Sequence, residues 1–229
     1  MRKSLLLGLA AVFALMACQR ESASPDVRTF GLTGDVREVF FSVVPSDPDD
    51  PMDEISYLAF DARGRVTLDP FGNVYTYDAE GNYDGAYKEF ITVERDTRGR
   101  LVTFDNSEVI EEDFDDFDVM DICHLEFEYD DLGRTTTIHY NGWEWGTTYL
   151  STYEGKNVWP VREVTESYDE GYNETTTTTY EYLEFDAKGN WTSRTATATT
   201  KSWEEEDEES EESYTTVIRQ IRRITYWSD

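Results

Sequence analysis

Tyr129-Asp130-Asp131-Leu132-Gly133-Arg134 is the stretch that decides the fold. Asp at the first position of a type I turn accepts backbone N–H groups, and two residues of almost any kind follow. Gly at the fourth position takes a left-handed conformation that a Cβ disfavours. The product is a β-hairpin closed by a glycine bulge. The same core recurs at Phe60–Arg65, Tyr77–Asn82 and Phe185–Asn190, and without the leading Phe or Tyr at Asp69–Asn73 and Asp96–Arg100. The expected turn pairs are thus Asp61 with Gly64, Asp69 with Gly72, Asp78 with Gly81, Asp96 with Gly99, Asp130 with Gly133 and Asp186 with Gly189.

The segments between these turns alternate as strands do. Ile55–Phe60, Phe90–Glu94, Ile122–Tyr129, Thr135–Tyr140 and Thr175–Phe185 are built from Val, Ile, Thr and aromatic residues. Asn141-Gly142 adds a two-residue hairpin signal. No segment carries apolar residues at i, i+3, i+4 and i+7 behind a cap, and the Thr-rich runs 175–179 and 195–200 disfavour a helix. The expected class is all-β, an antiparallel meander of hairpins. Tyr172–Phe185, Asn190–Trp203 and Ser213–Trp227 predict long strands, forming either a strongly twisted ribbon or part of a partly closed barrel. In the last strand Arg219, Arg222 and Arg223 alternate with Ile and Val, so long Arg stems are expected to cover aromatic neighbours. A transmembrane barrel needs a continuous apolar outer band, which Thr175–Thr179 and Arg222-Arg223 do not provide.

Charge narrows the function. The chain has 229 residues, 49 acidic against 20 basic, a net charge of -29. Nucleic acid and anionic membrane surfaces both require clustered Lys and Arg, so both are excluded as electrostatic partners. The 15 Tyr, 12 Phe and 6 Trp supply the apolar area that disordered chains lack.

The N-terminus carries an address. Arg2 and Lys3 precede the uncharged run Leu5–Met16, a secretory hydrophobic region whose 12 residues rise only about 18 Å as a helix. Leu15-Met16-Ala17-Cys18 resembles the lipobox of bacterial lipoproteins. That resemblance implies cleavage before Cys18, acylation of Cys18 and a permanent lipid anchor, since each buried methylene contributes about 0.8 kcal/mol. Loss of Arg2 and Lys3 from the 20 basic residues leaves a charge of about -31 on the mature chain. With Gln19 rather than Asp after Cys18, the resemblance further implies the outer membrane, on its periplasmic or its surface face. The expected organisation is a signal peptide over 1–17, a lipidated tether over 18–29 and one β domain over 30–229.

The aromatic-Asp-x-x-Gly-Arg/Asn core resembles the YD repeat of Rhs-type and cell-wall-associated bacterial proteins, whose hairpins stack into long sheets. Here the turn glycines are spaced 8, 9, 18, 34 and 56 residues apart, unlike the steady period of those arrays. The chain is also too short to wrap a toxin domain. Gly31-Leu32-Thr33-Gly34-Asp35-Val36-Arg37-Glu38-Val39 together with a final strand at Ile218–Tyr226 is similar to small Bacteroidetes lipoproteins with YD-like turns, a likeness of pattern that brings no activity with it.

Candidate chemistry is sparse. Three acidic runs stand out, Asp47–Glu54, Glu111–Asp118 and Glu204–Glu212. Each is either a solvated loop or a source of oxygen ligands for calcium. Asp113, Asp115, Asp116 and Asp118, pinned by Phe114 and Phe117, form the best calcium candidate. Glu204–Glu212 is expected to connect two long strands. Trp143 and Trp145 fall on one face of a strand with Glu144 between them, a pattern for stacking a sugar ring or for plain core packing. Cys123 is expected to be a buried structural thiol, since His124 beside it in a strand points to the opposite face. No nucleophile elbow, phosphate loop or dinucleotide fingerprint occurs, and two His residues do not make a zinc site. The expectation is a non-catalytic binding or structural module of the cell envelope, with a glycan or an envelope protein as ligand. A carboxylate-dependent glycan hydrolase is the alternative.

Overall fold

The computed structural model describes residues 24–45, 55–85, 88, 91–106, 124–142, 144–204 and 207–228. A short helix, α1 (Pro25–Thr29), precedes twelve strands. These are β1 (Val36–Val43), β2 (Ile55–Phe60), β3 (Val66–Leu68), β4 (Thr92–Arg95), β5 (Leu101–Asp105) and β6 (His124–Tyr129). They continue with β7 (Thr135–Asn141), β8 (Trp145–Thr152), β9 (Arg162–Asp169), β10 (Tyr172–Phe185), β11 (Trp191–Glu204) and β12 (Asp207–Tyr226). All join one antiparallel sheet in the order β3-β2-β1-β12-β11-β10-β9-β8-β7-β6-β5-β4. The run from β4 to β12 is an uninterrupted meander, and β12 then pairs with β1, Val39 opposite Ile224.

The sheet curves around a core drawn from both of its ends. Val36, Val39, Leu58, Phe60 and Val66 meet Leu101, Phe104, Leu125 and Phe127, with Val27 and Leu32 between them. The alternation that produces this is plain in β6, where Leu125 and Phe127 are buried while Glu126 and Glu128 are exposed. Each such fully buried aliphatic or aromatic side chain stabilises the fold by roughly 1.5–3 kcal/mol.

A partly closed barrel does not form: β3 and β4 stand at the two ends of the strand order and share no ladder among the described residues. β3 is only three residues long, and the Asp69–Asn73 turn reverses the chain directly after it. The edge N–H of Val66 donates to Asp26 Oδ2 at 2.9 Å, a side chain standing where a β4 carbonyl would be needed. Val74–Tyr83 then crosses the gap with isolated bridges, Leu68 to Val74 and Tyr77 to Tyr83, and Tyr75 packs edge-on against Phe104 at 5.2 Å.

The expected tether is also shorter at its C-terminal end. Ser24 caps α1 by accepting the Val27 N–H at 3.3 Å, Pro25 opens the helix, and Asp26, Val27 and Thr29 are buried. Five residues are too few to show helical periodicity, which is why the sequence carries no such pattern. Among the described residues no helix is long and apolar enough to cross a membrane.

Two connections differ from expectation. Asn141 pairs with Gly146, and the Gly142 N–H donates to the Trp145 carbonyl at 2.9 Å, so the chain reverses between Gly142 and Trp145 and not at Asn141-Gly142. Asn141 is held in the ladder by its pairing with His124. The acidic run Glu204–Glu212 is mostly strand: Thr200, Lys201 and Ser202 pair with Tyr214, Ser213 and Glu212, and Glu204 with Asp207. The 20-residue β12 extends about 66 Å at roughly 3.3 Å per residue.

Candidate functional site

The turn motif builds one rim of the sheet. In the Asp130 turn the Asp130 N–H donates to the Arg134 carbonyl at 3.0 Å and the Gly133 N–H to the Asp130 carbonyl at 2.9 Å. Oδ1 of Asp130 accepts the Arg134 N–H at 2.9 Å, and Oδ2 accepts Arg134 Nε at 2.7 Å. Asp61 with Arg65 and Asp96 with Arg100 repeat both carboxylate contacts, while Asn73 and Asn82 use Nδ2 instead. In these five turns the last residue is Arg or Asn because its side chain reaches the second carboxylate oxygen; in the Asp186 turn the Tyr226 hydroxyl takes that oxygen, and Asn190 Nδ2 donates to the Thr33 carbonyl at 2.9 Å. Gly64, Gly72, Gly81, Gly99, Gly133 and Gly189 all have φ between +74° and +100°.

Each guanidinium then stacks on a later tyrosine: Arg65 over Tyr77 at 4.2 Å, Arg100 over Tyr129 at 4.0 Å and Arg134 over Tyr153 at 4.5 Å. Tyr77 and Tyr129 are the aromatic residues that open the Asp78 and Asp130 turns, so one repeat clamps the next. The N-terminal segment runs across this rim. Ser24 Oγ donates to the Gly64 carbonyl, Thr135 Oγ1 to the Thr29 carbonyl at 2.6 Å, and the Thr33 N–H to Asn190 Oδ1 at 2.8 Å.

Inside the curved sheet lies a cavity of about 340 Å³. Strand alternation points Tyr149, Ser151 and Tyr153 into it from β8 and its end, and Glu163 stands opposite Ser151 in the β8–β9 register. Tyr57 enters from β2, Phe71 from the Asp69 turn, and Trp159 from the β8–β9 connection. Trp191 and Arg194 come from β11, and Arg222 from β12.

The electrostatics of this cavity are unusual for so acidic a chain. Arg222 is only 6% exposed; its Nε donates to the Trp191 carbonyl, and its guanidinium lies 3.9 Å from the Trp191 ring centre. Burial, helped by the positive charge of Arg194, lowers the Arg222 pKa to about 9, so it stays protonated at neutral pH. Its buried Nη2 has no hydrogen-bond partner among the described residues. Arg194 is held by Gln220 Oε1 at 2.6 Å and stacks over Tyr180 at 3.8 Å and Trp191 at 4.2 Å. Burial pushes the Glu163 carboxyl above the usual range, opposed by Arg194 and by the Tyr180 hydroxyl, which donates to Glu163 Oε1 at 3.4 Å. Tyr57 and Tyr149 are likewise raised by burial. Among the described residues Glu163 is the single carboxylic acid in the lining. The nearby buried Asp69 is engaged by the N–H groups of Phe71 and Asn73, by Asn73 Nδ2 and by the Tyr75 hydroxyl.

Of the binding candidates singled out from sequence, Glu144 and Trp145 lie outside this lining. Trp145 is half-buried with its ring edge-on to Tyr140 at 4.6 Å, and Glu144 is exposed. Trp143, Cys18, Cys123 and the calcium candidates Asp113, Asp115, Asp116 and Asp118 lie outside the described residues. Among the described residues no three His, Cys, Asp or Glu side chains are grouped to hold a metal ion. His124 sits between Asp105, at 3.0 Å, and Glu126, at 3.2 Å, and His139 contacts Thr148 Oγ1 at 3.1 Å. The cavity set went unseen in the sequence. Its one local signal is the spacing of Tyr149 with Tyr153 and of Tyr180 with Tyr182, which places these rings on one face of their strands.

No family model matches the chain, and no curated protein or solved structure is similar to it.

Proposed function

We propose that this chain is a lipid-anchored protein of the bacterial cell envelope that binds a glycan in the cavity of its curved sheet and does no chemistry on it. The observation that carries this is the lining itself, in which the rings of Tyr57, Tyr149, Trp159 and Trp191 alternate with hydroxyl and charged groups. Aromatic faces take the apolar faces of a pyranose, and the polar groups between them take its hydroxyls. Hydrolysis by paired acids is disfavoured, since it needs a second carboxyl group roughly 5–9.5 Å from the first and Glu163 is alone in the lining. An envelope-protein ligand has less support, because the β3 edge N–H of Val66 is already engaged by Asp26.

The anchor is the lipid on Cys18. Five residues separate Cys18 from Ser24, a reach of about 20 Å at most, and Ser24 lies on the turn rim. That short leash turns the rim toward the bilayer.

Two measurements test this. Cys18→Ala should move the protein from the membrane to the soluble fraction; unchanged partitioning rejects the anchor. A glycan array probed with the detergent-solubilised full-length protein should give hits that Trp159→Ala weakens at least tenfold. An array without hits, or hits indifferent to the substitution, rejects the cavity as a glycan site.

A further inference from the structure

We propose that the ligand of this cavity is an acidic sugar, a pyranose carrying one carboxylate, with Arg222 and Arg194 taking the carboxylate and Trp159 flanking the ring. This rests on the glycan-binding function proposed above and adds the chemical class.

The first ground is charge. In a chain of net charge -29, the cavity lining holds two guanidinium groups against one carboxyl. A buried charge without a partner costs several kcal/mol, so such a group is retained where something compensates it. Within the protein, Arg194 is balanced by Glu163 and Gln220, whereas Arg222 has the Trp191 carbonyl on Nε, the phenol groups of Tyr57 and Tyr182 nearby and the weaker influence of Asp186. Nη2 of Arg222 is buried and without a hydrogen-bond partner among the described residues.

The second ground is preorganisation. The Nε bond and the Trp191 stack fix the plane of the Arg222 guanidinium, and Gln220 and Tyr180 fix that of Arg194. Two immobilised planar forks match a carboxylate, whose two oxygens accept parallel N–H donors, better than they match a neutral hydroxyl. Glu163 beside Arg194 and Asp186 near Arg222 disfavour a dianion such as a phosphate monoester, which leaves a single negative charge as the better fit.

The third ground is the remainder of the lining. Ser151, Tyr149 and Glu163 present donors and an acceptor to ring hydroxyls, which a purely aromatic acid would leave unmatched. The volume of about 340 Å³ lies at the small end of ligand sites, which run from roughly 300 to 1,000 Å³. One or two sugar rings fill it.

Isothermal titration calorimetry on the detergent-solubilised full-length protein decides the matter with four probes: D-glucuronate, D-glucuronamide, D-glucose and benzoate. The expected result is binding of glucuronate at least tenfold tighter than any of the other three. Arg222→Gln should abolish that preference, so that the variant binds acid and amide alike, with thermal melting confirming that the variant is folded. If it does not fold, the wild-type ratio of glucuronate to its amide decides alone, because the two share the sugar ring and differ only at the carboxyl group, which the amide replaces with a neutral group that has one acceptor oxygen fewer. Equal binding of acid and amide, or a preference that survives Arg222→Gln, overturns the acidic-sugar inference and leaves the glycan function standing. Benzoate binding as tightly as glucuronate overturns it as well. Absence of binding by every sugar, on titration and on the array, overturns both.

Discussion

The carboxylate of Asp26 and the guanidinium of Arg95 meet at 2.8 Å between Oδ2 and Nη2, and this pair joins the two free edges of the sheet. Arg95 ends β4, and the same Asp26 oxygen accepts the Val66 N–H of β3. A side chain from α1 thus does the work of the hydrogen-bond ladder that would have closed a barrel. Arg95 also donates to the Gly99 carbonyl at 2.9 Å and contacts the Tyr77 hydroxyl at 3.2 Å, which ties the pair into the turn rim.

Asp26 is 2% exposed, so removing either partner leaves the other charge inside the protein without compensation. Asp26→Ala and Arg95→Ala are each expected to cost about 3–5 kcal/mol in urea unfolding. The double variant should cost clearly less than the sum of the two. Asp26→Ala should also aggregate more readily, because it frees the β3 edge. Additive losses would show that the pair is not coupled.

Gly99 and Gly133 have φ of +77° and +81°, and the nearest atoms a Cβ would meet stand at 3.7 and 3.6 Å, ordinary contact distances. Alanine there is strained by its backbone and not by its neighbours. Each substitution is expected to lower stability by about 1–2 kcal/mol. Asn at the same positions should lose less, since it tolerates the left-handed region, and equal losses for Ala and Asn would point to a steric cause.

Arg134 binds Asp130 through Nε, donates to the Gly155 and Asn157 carbonyls through Nη1, and stacks over Tyr153. A double-mutant cycle of Arg134→Ala with Tyr153→Ala should return a coupling of about 0.5–2 kcal/mol. Zero coupling would mean that the stack of Arg134 on Tyr153 adds nothing to stability.

Stability should fall on both sides of weakly acidic pH. Burial raises the Asp130 pKa, but hydrogen bonds from the Arg134 backbone and side chain outweigh it and hold the carboxyl below its ordinary value; Asp96 behaves likewise with Arg100. A depressed carboxyl adds stability that is present above its unfolded value of about 3.9 and is lost as pH falls through its folded value. His124 has the opposite sign. Burial lowers its pKa, yet Glu126 and Asp105 together raise it above the usual 6.5. Its contribution is complete below about pH 6.5 and is lost as pH rises through the higher folded value. Melting temperatures from pH 2 to 9 should show Asp130→Asn flattening the acid fall and His124→Gln flattening the fall above neutrality. Parallel curves for wild type and variant would reject the assignment of either limb.

Much of the fold was legible because its instructions are local. Asp130, Gly133 and Arg134 act within one turn, and the burial of Leu125 and Phe127 follows from alternation alone. The lengths of β10 and β11 could be read in the same way, as could the Arg stems over aromatic rings, seen where Arg223 lies 3.9 Å from the Phe40 ring centre. Helix α1 was not legible, since five residues hold no period and Asp26 matters only through partners 40 and 69 residues away. The acidic run after Glu204 was misread because cross-strand pairing with β11 overrides the local preference of Asp and Glu for loops. Whether the sheet closes was decided by which group reached the Val66 N–H first in space. The cavity belongs wholly to tertiary structure: Tyr57, Glu163, Arg194 and Arg222 come from four strands, and only curvature and register bring them together. Local chemistry specified hairpins that any chain with these turns would form. Long-range packing alone made an inside for the sheet, and with it the buried setting of the Arg222 guanidinium.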